Sequence, residues 1–495
     1  MKAPSPRGWP GRGWGAAITL EAPEEFRGTT VQVCGLWPFA AGAATPTVGV
    51  PVGRHLITGA TVCCDPISWF QRARLIANPS AFVLGKPGLG KSTIVRRIAL
   101  GLAGYGVHAV VLGDLRPDYV DLVTALGGQV LSLGHGRGSL NILDRADALD
   151  AAAHLTGQAR ADVLADAHAR RHALLASLVT ILRSAPPTDR EDVILDRALR
   201  VLDDAHPHPE GQPVLADLLH VLRAAPDPVP HVAVDRGDLT RYRDLIDPLE
   251  ATLTSLASGG RLGGVFARPS TVTMRRDRSV VFDMSAIGDG ESDLQAAALL
   301  ACWSYGFGVI NAANALADAG AGPRRHYLVV MDELWRALRA GPGIVDRVDV
   351  LTRLNRGRGV GQIMVSHTLT DLLALTHEAD RHKARGFVER AGMVIAAGLP
   401  AAEMPHLRSV VALSRTEEAL LTSWQDPPAW DPATGADTAP PGRGRFLIKV
   451  GGRPGIPVEV TLTAVERTLG INDTDRLWHQ PASPVMPAGR AARPQ

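Results

Sequence analysis

Short, nearly all-apolar runs recur along the chain, and most of them end in glycine or in a polar pair. Ala81-Phe82-Val83-Leu84 runs into Gly85, and Ala109-Val110-Val111-Leu112 runs into Gly113-Asp114. Between them, 93–102 carries apolar residues at helical spacing. Strand, helix, strand in that order predicts a βαβ unit and therefore a parallel sheet. Further apolar runs occupy 279–284, 327–331, 362–365 and 393–396. Runs without polar alternation are what central parallel strands need, because both of their faces are covered. From about 148 to 260 the spacing becomes that of amphipathic helices, over 161–182, 190–202 and 214–222. Ala185-Pro186-Pro187 and Asp227-Pro228-Val229-Pro230 separate them, since proline interrupts a helix and restricts the residue before it. Near the end, 445–450 and 457–462 flank Gly451-Gly452-Arg453-Pro454-Gly455 and read as a hairpin.

The pattern predicts an α/β fold with a mostly parallel sheet and a helical insertion. The expected divisions are a small β-rich or extended N-terminal segment, 1–75, and a first part of the main domain, 76–147. The helical insertion, 148–265, follows. A second part with the C-terminal hairpin covers 266–480, and a disordered tail covers 481–495. Residues 428–444 form a Pro/Gly-rich linker before the hairpin.

Composition narrows this picture only a little. The chain has 495 residues, 45% hydrophobic and 21% charged, which is globular and long enough for more than one domain. A formal net charge of +2 gives no global basic character that would argue for nucleic acid. The four cysteines, Cys34, Cys63, Cys64 and Cys302, fit neither a zinc spacing nor a disulfide framework, and read as free thiols in a reducing cytoplasm. The first 14 residues lack the apolar segment of a signal peptide. The uncharged stretch 294–316 is rich in Ala, Gly, Asn and Ser, and reads as a buried helix more than a membrane span. The expected location is the cytoplasm, with docking at the inner face of a membrane through a partner. Scarce lysine beside abundant arginine and alanine suggests a high-GC bacterial genome.

The strongest chemical signal is Gly85-Lys86-Pro87-Gly88-Leu89-Gly90-Lys91-Ser92, followed by Thr93. It fits G-x-x-x-x-G-K-[ST], with the required strand before it and helix after it. Glycines let backbone N–H groups curl around phosphate oxygens, a lysine reaches the β and γ phosphates, and a serine hydroxyl ligates magnesium. Residues 85–93 are thus the candidate ATP site, with Ser92 a metal ligand. Without nucleotide, Lys91 is expected to face solvent. A chance match in a glycine-rich chain is the bland alternative, and the scarcity of lysine argues against it.

Tyr327-Leu328-Val329-Val330-Met331-Asp332-Glu333 supplies the second half. Its strand delivers Asp332 as the metal-organising carboxylate and Glu333 to orient or deprotonate the attacking water. Alone it is a weak signal, because strands often end in acids. The next strand ends Ser366-His367, a candidate γ-phosphate sensor or simply a capped strand end. Arg353, Arg356 and Arg358 precede that strand. They are candidates for the arginine that ring-forming ATPases place in a neighbouring subunit's site, or else a solvated basic loop. Arg96 and Arg97 lie in the helix after the loop and are expected to point away from the phosphates. The histidines show no ligand spacing.

Several segments together resemble the motor ATPases of type IV secretion and conjugation systems, within the HerA–FtsK superfamily of P-loop NTPases. They are Asp332-Glu333-Leu334-Trp335, Arg356-Gly357-Arg358-Gly359 before 363–366, and Leu369-Thr370-Asp371-Leu372. Asp114-Leu115-Arg116-Pro117-Asp118-Tyr119, Leu126-Gly127-Gly128 and Leu140-Asn141-Ile142-Leu143-Asp144 complete the set. The likeness covers about 50–480. It implies a RecA-like motor domain, ATP and Mg2+ as cofactors, and a homo-hexamer as the working form. It also implies membrane-bound secretion or conjugation channel proteins as partners, with DNA as a further candidate. The family's sensor strand usually ends Thr-Gln or Ser-Gln, where this chain has Ser366-His367. A DNA translocase or helicase of the same superfamily and a nucleotide-gated scaffold without useful turnover are the rival readings. No Lys/Arg run with interleaved aromatics supports the first, and an intact Glu333 speaks against the second.

Overall fold

The computed structural model describes residues 46–473, apart from 234–236, 258–262, 354–358, 432–434 and 439. Its frame is an 11-stranded sheet. In chain order the strands are β1 Pro51–His55, β2 Thr61–Cys63, β3 Ser80–Leu84, β4 Val107–Asp114, β5 Gln129–Ser132 and β6 Val280–Asp283. They continue with β7 His326–Met331, β8 Val360–Val365, β9 Met393–Ala396, β10 Arg445–Lys449 and β11 Ile456–Val460. Across the sheet the order is β2-β1-β11-β10-β9-β3-β8-β7-β4-β6-β5. From β9 to β5 all neighbours are parallel. From β9 outward through β10, β11, β1 and β2 they are antiparallel.

The parallel half has the expected chemistry. β3, β6, β8 and β9 are buried at every position, so their apolar runs face protein on both sides. Helix Lys91–Ala103 packs on β4, and so does the long helix Ser292–Asp318. The second approach is close enough that a Cβ on Gly306 would stand 2.2 Å from Leu112 Cδ2, so a larger residue there would have to push the Leu112 side chain aside. By length and composition Ser292–Asp318 could cross a membrane, but 83% of its apolar window is buried in the fold. Its surface is spent on β4 and on helices Ala146–Ala153 and Gly157–Arg183.

Between β5 and β6 the chain runs through helices that include Gly157–Arg183, Asp189–Ala205, Leu215–Ala224 and Leu239–Ala257. A capping box at Thr188 and Glu191 starts the second of these. A charge network ties the first two together: His168 contacts Asp196 at 2.8 Å and Asp203 at 3.0 Å, and Arg171 pairs with Asp203 at 2.8 Å.

In the N-terminal stretch, the described residues 46–75 carry β1 and β2, which join the sheet, with β1 paired to β11. Asp65 anchors them. Its carboxylate accepts from Ser68 N at 2.6 Å, capping helix Pro66–Gln71, and from Val50 N at 3.0 Å. The hairpin β10–β11 is fastened from outside by Lys449, whose ammonium donates to Glu417 at 2.9 Å. Cys63, Cys64 and Cys302 are free thiols. Cys34 and the tail 481–495 lie outside the described residues.

Candidate functional site

Four parallel strand ends converge at one edge of the sheet. β3 ends at the 85–92 loop, β7 at Asp332-Glu333, β8 at Ser366-His367 and β4 at Asp114. β8 lies between β3 and β7, so its polar end stands between the loop and the acidic pair. Those three chain segments, more than 200 residues apart at the extremes, meet because parallel strands deliver their carboxyl ends to the same side.

The loop is built from backbone. Gly85, Gly88 and Gly90 hold φ of 153°, 80° and 95°, which disfavours any side chain. Gly90 caps helix Lys91–Ala103 from the left-handed region, so the first N–H groups of the helix carry no side-chain cap. The Gly85 N–H donates to His367 O at 2.9 Å, and the Lys86 N–H to Gly398 O at 3.1 Å. Contrary to the expectation from the sequence, Lys91 does not face solvent. It is 8% exposed, and its ammonium donates to Gly85 O at 2.7 Å and Lys86 O at 3.1 Å. Burial lowers its pKa, while Asp332 and Glu333 push it back up. A cation resting on its own loop's carbonyls is one that phosphate oxygens can take over. Pro87 and Gly88 are exposed, and nothing stands within 4 Å of a Cβ at Gly88, so the loop's outer side is open.

The acidic pair is held by side chains. Asp332 Oδ2 accepts from the Tyr119 hydroxyl at 2.8 Å, and Oδ1 from Glu333 N at 2.8 Å. Burial and the neighbouring Glu333 raise the Asp332 pKa, and the Tyr119 hydrogen bond opposes them. Glu333 sits at φ 51°, an uncommon region for a residue with a side chain, and such strain persists only where its surroundings hold it. Here Trp335 Nε1 donates to its Oε2 at 2.5 Å, and His367 Nε2 stands 3.5 Å from the same oxygen. Burial alone would raise the Glu333 pKa; His367, Arg336 and Trp335 outweigh it and hold the carboxylate below its usual range. Trp335 is itself flanked by the Arg336 and Arg339 guanidinium groups, each 4.9 Å from its ring centre.

Ser92 donates to Asp118 Oδ2 at 3.1 Å. Ser366 is 2% exposed and its hydroxyl has no partner, and His367 Nδ1 is likewise unpartnered. A buried hydroxyl without a partner normally has a reason, and an incoming phosphate oxygen would supply one. Arg96 and Arg97 turn to Asp118 and Glu466, the latter at 2.7 Å. Arg353 ends helix Ile344–Arg353, while Arg356 and Arg358 lie outside the described residues.

Among the described residues no preformed cluster of three or more His, Cys, Asp or Glu could hold a metal alone. Magnesium keeps waters and is held by one or two protein oxygens plus phosphates. Ser92 and Asp332 are protein oxygens that could take that place. Sequence reasoning did not assign roles to Asp118, Tyr119 and Trp335, although all three stand in segments that carried the family resemblance. Tyr119 reaches Asp332 across 213 residues and Asp118 meets Ser92 across 26, pairings that only the fold reveals, whereas Trp335 bonds Glu333 two positions away.

No family model and no curated protein matches the chain. Among solved structures, VirB4 of Thermoanaerobacter pseudethanolicus superposes with a TM-score of 0.63 at 18% identity, over 86% of this chain and 99% of that one. The plasmid coupling protein TrwB in complex with ADP and Mg2+ aligns over 86% of this chain and 97% of that one at 14% identity, with a TM-score of 0.49, too loose to carry an argument. The VirB4 likeness shows the fold: this chain has the RecA-like P-loop ATPase fold.

Proposed function

We propose that the chain is an ATP-hydrolysing motor subunit of a conjugation or type IV-like secretion system, powering substrate transfer or channel assembly. The observation that carries the reading is the meeting of the 85–92 loop and the Asp332-Glu333 turn at one sheet edge, with the end of β8 between them. ATP is held by residues 85–93. Lys91 moves from the loop carbonyls to the phosphates. Ser92 and Asp332 hold Mg2+, which neutralises phosphate charge when bound. Glu333 orients the attacking water and takes its proton, and Ser366 and His367 sense the γ-phosphate. The fold shared with VirB4, over 99% of that solved chain, supports the reading.

The working form in this reading is a homo-hexamer, docked at the inner face of a membrane on channel proteins, with Arg353, Arg356 or Arg358 entering a neighbour's site. An arginine supplied in trans is worth about 10³ to 10⁵ in rate. ATPase rate per chain therefore rises steeply with concentration, in step with oligomer formation measured by light scattering. Mixing an inactive Glu333→Gln chain with an inactive chain lacking the arginines restores activity, because some mixed interfaces hold one intact site and one intact arginine. Constant specific activity down to monomer, with no rescue on mixing, refutes the ring. Lys91→Ala must abolish turnover while the chain stays folded; turnover at the wild-type rate refutes the nucleotide assignment itself. ATPase stimulated strongly by DNA alone would favour the translocase reading.

A further inference from the structure

The turn between β4 and the helix Val120–Ala125 touches both proposed metal ligands with consecutive residues. Asp118 accepts the Ser92 hydroxyl at 3.1 Å, and the next residue, Tyr119, donates its hydroxyl to Asp332 at 2.8 Å. The turn is fixed from below. Asp114, 2% exposed at the end of β4, accepts from Asp118 N at 3.1 Å and from Tyr119 N at 2.8 Å with its two carboxylate oxygens. From the side, Arg96 reaches Asp118, donating to its carbonyl and standing 3.8 Å from its carboxylate. Tyr119 is 1% exposed, so its phenol has no freedom to search for another acceptor.

We infer that Asp118 and Tyr119 are the positioning residues of the magnesium site, acting through Ser92 and Asp332. This rests on the proposed function. A serine hydroxyl has one proton and two lone pairs. When a lone pair goes to a cation the proton must still point somewhere, and Asp118 is where it points already. A carboxylate accepting that proton makes the oxygen a better ligand, the role that partners of metal ligands commonly fill. Tyr119 acts on the other ligand. Together with Glu333 N it gives each Asp332 oxygen one donor, which sets the plane of the carboxylate before any metal arrives. Because residues 118 and 119 adjoin, one turn couples the two ligands: a shift that moves one partner moves the other.

The test reads metal binding without turnover. Mn2+ is titrated into the full chain with saturating ADP, and bound Mn2+ is followed by electron paramagnetic resonance. Tyr119→Phe removes only the hydroxyl and keeps the buried ring. It should weaken Mn2+ binding about 10- to 100-fold, the usual range for lost partners of metal ligands, while ADP binding measured in EDTA stays unchanged. Asp118→Ala should fall in the same range, and Asp118→Asn, whose amide oxygen can still accept the Ser92 proton, should recover part of the loss. Ser92→Ala is the control for the site. If wild type binds no Mn2+ with ADP, or Ser92→Ala binds it as well as wild type, the proposed function fails. If wild type and Ser92→Ala behave as expected but Tyr119→Phe and Asp118→Ala bind Mn2+ like wild type, the positioning role is overturned. Equal loss of ADP binding in EDTA overturns it too, because that would mark the turn as merely structural.

Discussion

The two halves of the candidate site are held by different means. The 85–92 loop is held by backbone: its glycines adopt conformations closed to other residues, its N–H groups bond to carbonyls of neighbouring strand ends, and even Lys91 rests on its own loop. The Asp332-Glu333 turn is held by side chains: Tyr119 and His367 from other segments, and Trp335 from two residues further on. The difference follows the chemistry. A phosphate can be bound by almost any ring of N–H groups of the right curvature. A metal-organising or water-activating carboxylate works only when its oxygens point correctly, and two side-chain torsions in Asp332 and three in Glu333 must be fixed to achieve that. So the loop should tolerate the loss of a side-chain prop, and the acidic turn should not.

The largest effect expected from this contrast is at Glu333. Glu333→Gln keeps the Trp335 acceptor and the shape of the turn but removes the base. Turnover should fall about 10²- to 10⁴-fold, the scale of a positioned general base, with ATP binding measured by a fluorescent analogue unchanged. Loss of binding together with hydrolysis would mark Glu333 as a structural residue and erase the contrast.

Next in size are the props of the acidic turn. Trp335→Phe keeps the ring between Arg336 and Arg339 and deletes the indole N–H. A hydrogen bond to a charged group contributes about 1.5–3 kcal/mol, so turnover should drop about tenfold or more with nucleotide affinity retained. His367 acts on the same carboxylate through pH. Burial tends to raise the Glu333 pKa, and His367 is the foremost group that lowers it. Since the folded-state pKa is depressed, the carboxylate stays ionised further into acid, and the active form is lost only as pH falls through that depressed value. Removing His367 takes away the largest lowering contribution and leaves only Arg336 and Trp335 against burial, so His367→Asn should move the acid limb of the pH–rate profile to higher pH. An unmoved acid limb would mean that His367 does not set the state of Glu333.

The same division explains what was legible in the sequence. The loop declares itself in eight residues because backbone geometry demands glycine at fixed spacing, and the apolar runs of β3, β7, β8 and β9 declare themselves because burial on both faces forbids polar alternation. β5 went unread: Gln129–Ser132 is short, only one of its four residues is buried, and it lies at the sheet edge. The joining of β1 to β11 was equally hidden, because antiparallel pairing between residues about 400 positions apart leaves no local trace. The contact of Tyr119 with Asp332 spans 213 residues. The sequence held both residues in recognisable segments, yet nothing local says that one phenol orients one carboxylate. Lys91 was misjudged for the opposite reason: its role with phosphate is written in the motif, but its resting partners belong to the loop's own carbonyls, which no side-chain pattern encodes.

The smallest effect is the sharpest check on the loop. Apart from Ser92, which bonds Asp118, the loop side chain with an outside prop is Lys86, donating from Nζ to Gln425 Oε1 at 2.8 Å. Gln425 follows helix Arg415–Ser423, near Gly398 and Gly442, whose close packing on Trp424 brings this segment against the loop. If backbone alone shapes the loop, Gln425→Ala removes one hydrogen bond from a charged group, worth about 1.5–3 kcal/mol where nothing replaces it; because water can reach the ammonium, ATP affinity should weaken only about two- to tenfold with turnover at saturation unchanged. The Lys86 ammonium is partly exposed and water can replace its acceptor, which puts the expected loss at the lower end. Isothermal titration with a non-hydrolysable ATP analogue measures the affinity, and steady-state kinetics at saturating ATP measures the rest. A loss of turnover as deep as that of Trp335→Phe would show the loop to be held by side chains after all, and the distinction between the two halves of the site would collapse.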